Sequence, residues 1–211
     1  ENAFEGCRNL QSIEIPASVT DIGPNAFSDC PELKNVTFEE NSQLKSLDII
    51  FAGSSITGLN IPRSVTVIKA KAFANLSTLE TIRFEDNSEL AYISGSAFLN
   101  CVNLTTVDFG KNSKLRLIAG SVFENCTKLA SIEIPETVTL LGNKVFGGCL
   151  AIKSIIVPAG VKTMGRYVFS GWTEDQIIYF ANLTEAPSGW HSEWFDSSDA
   201  TVVWNYQPET F

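Results

Sequence analysis

Phenylalanine returns at a nearly fixed interval along most of this chain: Phe4, Phe27, Phe51, Phe73, Phe98, Phe123, Phe146 and Phe169, in steps of 22–25 residues. A unit of that length cannot bury its own apolar side. Copies must stack and share one continuous core, which restricts the chain to a solenoid. The surroundings of each phenylalanine keep their place. The residue before it is Ala3, Ala26, Ile50, Ala72, Ala97, Val122, Val145 or Val168. Five residues before it stands Ile22, Ile68, Ile93, Ile118, Leu141 or Met164, while the third copy places Leu47 one residue late.

A second apolar set follows each phenylalanine. It reads Leu10/Ile13/Ile15, Leu33/Val36/Phe38, Ile56/Leu59/Ile61, Leu79/Ile82/Phe84, Leu104/Val107/Phe109, Leu129/Ile132/Ile134 and Ile152/Ile155/Val157. The last two members of each trio alternate with polar residues, the pattern of a short strand buried on one side. Strands of successive copies then lie about 4.8 Å apart in a parallel sheet. The Ala-Phe segment is expected to form a short helical turn on the opposite side. Three residues beyond the trio sits Ser18, Asn41, Ser64, Asn87, Asn112 or Thr137, with Gly160 the exception, a column suited to capping backbone groups. Copies with Pro16, Pro62, Pro135 or Pro158 are short, because proline removes a ladder donor. The others carry a longer turn, where extra length costs little.

The L-x-x-L-x-L-x-x-N frame resembles the leucine-rich-repeat family. Ile132-Glu133-Ile134-Pro135-x-x-Val138 and Ala26-Phe27-Ser28-Asp29-Cys30-x-x-Leu33 resemble its BspA-like branch more narrowly. The resemblance implies an α/β-type leucine-rich-repeat solenoid of about eight repeats of 22–25 residues, short parallel strands joined by short helical turns, with more strand than helix. The array is expected over residues 1–180, beginning in mid-repeat as in a piece of a longer protein. A Trp-rich cap is expected over residues 181–211, holding Trp190, Trp194 and Trp204 with Trp172 just ahead. The resemblance also implies a bacterial cell-surface or secreted protein. Its partners would be proteins, through adhesion to host matrix proteins such as fibronectin and fibrinogen, or contact between cells. A structural spacer, and carbohydrate binding through the tryptophans, are the alternatives.

Charge and motif content narrow the chemistry. A net charge of −9 disfavours nucleic acid. No apolar stretch reaches membrane-spanning length, so no membrane insertion is expected in this segment. The only histidine is His191, and no phosphate loop, nucleophile elbow or HExxH is present, so the reading is non-enzymatic. No cofactor or metal is expected. Cys7, Cys30, Cys101, Cys126 and Cys149 all stand three residues after a phenylalanine. Their spacing is the repeat length and not a zinc pattern, so they are expected as reduced thiols packed like small hydrophobes. Stacked neighbours such as Cys126 and Cys149 would still approach disulfide distance.

Stacking allows charges to be compared between copies. Beside the strand ends, Glu40, Arg63, Asp86, Lys111 and Glu136 alternate in sign, which suggests a ladder of surface ion pairs. On the outward strand face one column holds Ser12, Asn35, Gly58, Thr81, Thr106, Ser131 and Ser154. The next holds Glu14, Thr37, Asn60, Arg83, Asp108, Glu133 and Ile156. Arg83, Asp108 and Glu133, with Asn60 and Thr106, form the candidate binding patch, suited to a cationic group or a polar protein surface. A solvated face without a ligand is the competing reading.

Overall fold

The protein's structure, a computed structural model, describes residues 1–207. The chain winds as a β-solenoid with strands on two edges. One edge carries β1 (Ser12–Ile15), β2 (Asn35–Phe38), β4 (Gly58–Ile61), β6 (Thr81–Phe84), β8 (Thr106–Asp108), β10 (Ser131–Ile132), β12 (Ser154–Val157), β14 (Ile177–Ala181) and β15 (Thr201–Tyr206). The other carries only two-residue strands: β3 (Ser46–Leu47), β5 (Val67–Ile68), β7 (Tyr92–Ile93), β9 (Leu117–Ile118), β11 (Leu140–Leu141) and β13 (Thr163–Met164). All pairing is parallel. The short edge is one unbroken six-stranded sheet, β3 through β13 in coil order. The long edge is three ladders, β1-β2, β4-β6-β8-β10 and β12-β14-β15.

Sequence alternation gives this register directly. Leu59, Ile82 and Val107 point inward in line, and Leu47, Ile68, Ile93, Ile118, Leu141 and Met164 form the matching inner column of the short edge. Leu47, one residue late in sequence, is in register with Ile68 nonetheless. The shift is absorbed after it, before Phe51.

The expected helical turns do not form, and no helix exists among the described residues. The reason lies two residues either side of the phenylalanines, Phe51 alone lacking the residue ahead of it. Asn2, Asn25, Lys71, Ser96, Ser121, Lys144 and Tyr167 precede them with φ of 54–60°. Gly6, Asp29, Gly53, Asn75, Asn100, Asn125, Gly148 and Gly171 follow them with φ of 54–79°. Two left-handed residues so close together cannot belong to a right-handed helix. They turn amides along the solenoid axis instead. The Phe73 N–H donates to the Ala97 carbonyl (2.8 Å), Phe98 to Val122 (3.0 Å) and Phe123 to Val145 (3.0 Å), so the turns make a third inter-coil ladder.

Between the edges lies a file of rings. Phe4 through Phe169 stack face to face with centroids 5.0–6.2 Å apart. From Phe51 to Phe169 these rings are fully buried. At the far end the file turns edge-on to Trp172 and Trp194. Residues 181–207 continue the winding: β15 pairs in parallel with β14, and the turn ladder runs on through Val168 N–H to Trp194 (3.0 Å) and Gly171 N–H to Ser197 (2.7 Å). Residues 208–211 of the expected cap lie outside the described residues.

Candidate functional site

The long-strand edge brings the candidate patch together in part. Asn60 stands opposite Arg83, and Arg83 opposite Asp108. Thr106 lies between Thr81 and Ser131. The β8–β10 ladder ends at Val107↔Ile132, so Glu133 follows the last paired residue instead of pairing with Asp108. There the surface opens into a groove of about 700 Å³, lined by Thr106, Asp108, Lys111, Ser131, Glu133 and Glu136, with Asp86 at its margin. Arg83 and Asn60 stay outside it.

Two local features make the groove. The coil of β8 has the longer turn and the next coil the shorter, proline-bearing one, and the groove is lined by both turns. Glycine is required at position 110 in the longer turn: its φ is +65°, and a Cβ would stand 2.7 Å from the Phe84 carbonyl oxygen. Where Glu39 and Glu85 occupy the equivalent position in other long coils, each carboxylate accepts a backbone amide of the preceding coil, from Ala17 (2.8 Å) and Arg63 (3.0 Å). Glycine leaves this position open. Asp108 accepts the Gly110 amide at 2.9 Å, which fixes the lip.

The expected ion-pair ladder is not present. Among the described residues the four ion pairs are Lys69–Asp48, Lys114–Glu89, Lys144–Glu124 and Arg166–Glu193. The alternating column uses its polar groups on backbone and amides instead. Asp86 accepts the Lys111 N–H at 2.8 Å, and the Arg63 guanidinium donates to Asn41 at 3.2 Å. The column of small polar residues splits in two. Ser64 and Thr137 do cap backbone, donating to Leu44 (2.9 Å) and Leu115 (2.7 Å). Asn41, Asn87 and Asn112 are there for a left-handed φ of 56–59°.

The cysteines are free, and four are buried, with Cys7 half-exposed. They are more than small hydrophobes. Each buried thiol donates to the phenylalanine carbonyl of an earlier coil: Cys30 to Phe4 (3.1 Å), Cys101 to Phe73 (3.0 Å), Cys126 to Phe98 (3.3 Å) and Cys149 to Phe123 (3.1 Å). Trp172, in the same slot, sends its indole N–H to Phe146 at 2.9 Å. Burial pushes the Cys101 and Cys149 thiols up to about 12, against a backbone hydrogen bond that lowers them, which preserves the donor form.

None of the four tryptophans is exposed. Trp172 and Trp190 are buried, the latter bonded to the Val161 carbonyl at 3.0 Å. Trp194 and Trp204 pack on the core beside Phe180. His191 sits beside Arg166, whose Nε lies 3.0 Å from its Nε2. Among the described residues no group of three or more His, Cys, Asp or Glu side chains could hold a metal.

Sequence reasoning missed the far end of this face. Beyond Glu133 the outward position of the next coil is Ile156, which stands opposite Tyr179, itself opposite Val203. Ile156 is exposed, and Tyr179, Val203 and Tyr206 are half-buried. The Tyr179 and Tyr206 rings meet at 4.5 Å. The available signal was the apolar outward position of Ile156, which already broke the polar column.

Comparison with known proteins agrees with this geometry. A crystal structure of a leucine-rich repeat protein from Bacteroides ovatus matches with a TM-score of 0.66 at 24% identity, over 96% of this chain and 63% of that one. The T. pallidum leucine-rich repeat protein matches with a TM-score of 0.52 at 20% identity, over 64% of this chain and 61% of its own. The chain thus spans less than two thirds of either protein's length. No curated protein matches it. The BspA-type leucine-rich-repeat region matches over residues 1–115 and 47–176, in six copies. By its repeat, its register and this match, the chain belongs to the BspA-type leucine-rich-repeat family.

Proposed function

We propose that this chain is a protein-interaction module of a bacterial surface protein, binding host matrix proteins or other cells through its long-strand edge. The observation that carries the reading is the succession of outward residues along this edge. The acidic groove at Asp108 and Glu133 is followed by Ile156, Tyr179 and Val203, which stand opposite one another across β12, β14 and β15, ahead of a register shift between Tyr179 and Ala181. A polar margin beside an aromatic, apolar centre is the composition of protein interfaces, and tyrosine is among the residues that dominate their energetics. The surface and adhesion parts of the proposal come from family membership. Nothing favours carbohydrate stacking on the tryptophans: Trp172 and Trp190 are buried, and Trp194 and Trp204 are half-buried against the core with their rings packed on Phe180.

Biolayer interferometry against immobilised fibronectin and fibrinogen tests the reading. Two variants run beside the wild type: Arg83→Glu/Asp108→Lys/Glu133→Lys for the polar part, and Ile156→Asp/Tyr179→Ser for the apolar part. Saturable binding weakened by both variants is expected. Absence of binding at roughly tens of micromolar removes matrix adhesion from this segment. Binding that survives both variants moves the site elsewhere.

A further inference from the structure

The short-strand edge carries a second surface of opposite character. Its outward positions are Ser46, Val67, Tyr92, Leu117, Leu140 and Thr163, each directly opposite the next in the parallel ladder. Four consecutive members are apolar, and a polar residue bounds them at each end. Tyr92 is 50% exposed at the centre, with Val67, Leu117 and Leu140 half-buried around it. At about 4.8 Å per strand the apolar stripe is about 14 Å long.

Immediately beside it runs a second row, Lys45, Thr66, Ala91, Arg116, Thr139 and Lys162. Backbone bonds stack it from each amide to the carbonyl one coil back, at 2.9–3.1 Å. The row contains no carboxylate, although the chain carries a net charge of −9. Lys45, Arg116 and Lys162 are exposed, and none of them is in an ion pair among the described residues. On the stripe's other side, Asp48 is the only acid among Asp48, Lys69, Ser94, Ala119, Gly142 and Gly165, and Lys69 holds it at 3.0 Å. This row is therefore neutral.

We propose that the short-strand edge is a second docking surface, and that its occupant is an acidic polypeptide segment bearing alternating apolar side chains. The apolar residues lie along Val67–Tyr92–Leu117–Leu140, and the carboxylates meet Lys45, Arg116 and Lys162. Charge complementarity selects an anionic partner, and the narrowness of the stripe selects a segment. Three cations on a chain of this net charge are too few to hold an anionic bilayer, which the rest of the surface repels. The surface lies on the edge opposite the long-strand column and does not depend on it.

Fluorescence anisotropy of a labelled soluble peptide alternating glutamate with leucine and phenylalanine tests this. Arg116→Glu/Lys162→Glu and Tyr92→Ser are the disabling variants, and Asp108→Asn/Glu133→Gln controls for the other edge. The expected result is saturable binding that weakens on the order of tenfold in each disabling variant, weakens with added salt, and is unchanged in the control. All these positions are exposed or half-buried, and circular dichroism of each variant confirms that it is folded. No saturable binding, or binding indifferent to Tyr92 and Arg116, overturns the proposal. So does a preference for phosphatidylglycerol vesicles over the peptide. Self-association in sedimentation velocity that Tyr92→Ser abolishes overturns the assigned occupant in favour of a second copy.

Discussion

The joint between the third and fourth coils differs from the joints that follow it. At the next joint, Lys71, Phe73 and Asn75 each donate to the adjacent coil at 2.8–3.1 Å, and the Phe73 and Phe98 rings are 5.0 Å apart and parallel within 1°. Between Phe51 and Phe73 the described residues show no such turn hydrogen bond, and the rings are 6.2 Å apart and tilted 23°. Ser54 donates back to its own Phe51 carbonyl at 2.7 Å, and Leu76 offers that carbonyl nothing. The cause is one residue. Leu47 is followed by Asp48-Ile49-Ile50 before Phe51, whereas Ile68 is followed by Lys69-Ala70-Lys71-Ala72 before Phe73. The third coil has no residue left to take the left-handed turn ahead of its phenylalanine, although Gly53 behind it keeps one. Yet Leu47 remains in register with Ile68, and Phe51 is fully buried. The apolar columns set the stacking, and the turn ladder is added where chain length permits it.

If that ranking is right, the largest effect comes from the ring file. Phe98→Ala removes a fully buried ring from its most tightly stacked stretch and should cost about 3–5 kcal/mol. Phe51→Ala should cost less, because its neighbours are already more loosely stacked. Urea denaturation of both variants measures this. An equal or larger loss at Phe51 would mean that the irregular joint is as tightly made as the others.

The next effect follows from the thiols. The Cys101 and Cys149 thiols are raised from 9.0 to about 12 by burial. The folded state thus keeps protons that the unfolded state releases, so their contribution is complete below about pH 9 and is lost as pH rises toward 12. Denaturation midpoints should fall with increasing pH in that window, and Cys101→Ser/Cys149→Ser should flatten the slope while keeping a donor. A slope unchanged in the double variant would assign the alkaline loss to other groups. At neutral pH, Cys126→Ala strips the donor from the Phe98 carbonyl and should cost about 1–3 kcal/mol. Thiol titration of the native protein should find Cys7 reactive and the four buried cysteines protected.

The inner columns were legible because every coil must fill the same hole. Phenylalanine, the trio and the isoleucine column could be counted directly, and the structure places them in line. The turns were misread because Ala-Phe suggests a helical turn, while the decisive residues stand two places away. Asn25, Asn75, Asn100, Asn125, Gly6, Gly53, Gly148 and Gly171 are types that tolerate a left-handed φ, and their fixed offset carried that information. Outer columns obey no such rule. Pairing of Asn60, Arg83 and Asp108 followed from alternation, but the groove depends on where β10 stops, and the apolar stripe through Tyr92 depends on a second sheet of two-residue strands. Tyr179 and Tyr206 are not among the expected site residues because the outward column was followed only as far as Ile156, whereas β14 and β15 extend the same face.

The smallest expected effect separates packing from surface charge most cleanly. The column Glu40, Arg63, Asp86, Lys111, Glu136 alternates in sign without forming an ion pair. Arg63 reaches Asn41, and it is its backbone amide that holds Glu85 at 3.0 Å. Arg63→Glu therefore leaves the backbone bond intact and removes one exposed side-chain contact, so stability should change by no more than about 0.5 kcal/mol. Glu85→Ala removes the acceptor itself and should cost more than Arg63→Glu, although the freed amide is solvated at the rim. The two variants, compared by denaturant midpoint at low and moderate salt, decide between the accounts. A loss above about 1 kcal/mol at Arg63 that salt diminishes would restore the electrostatic ladder. Near-neutrality there, with a salt-insensitive loss at Glu85, would leave the rim held by carboxylate-to-amide bonds and the coil register to the buried columns.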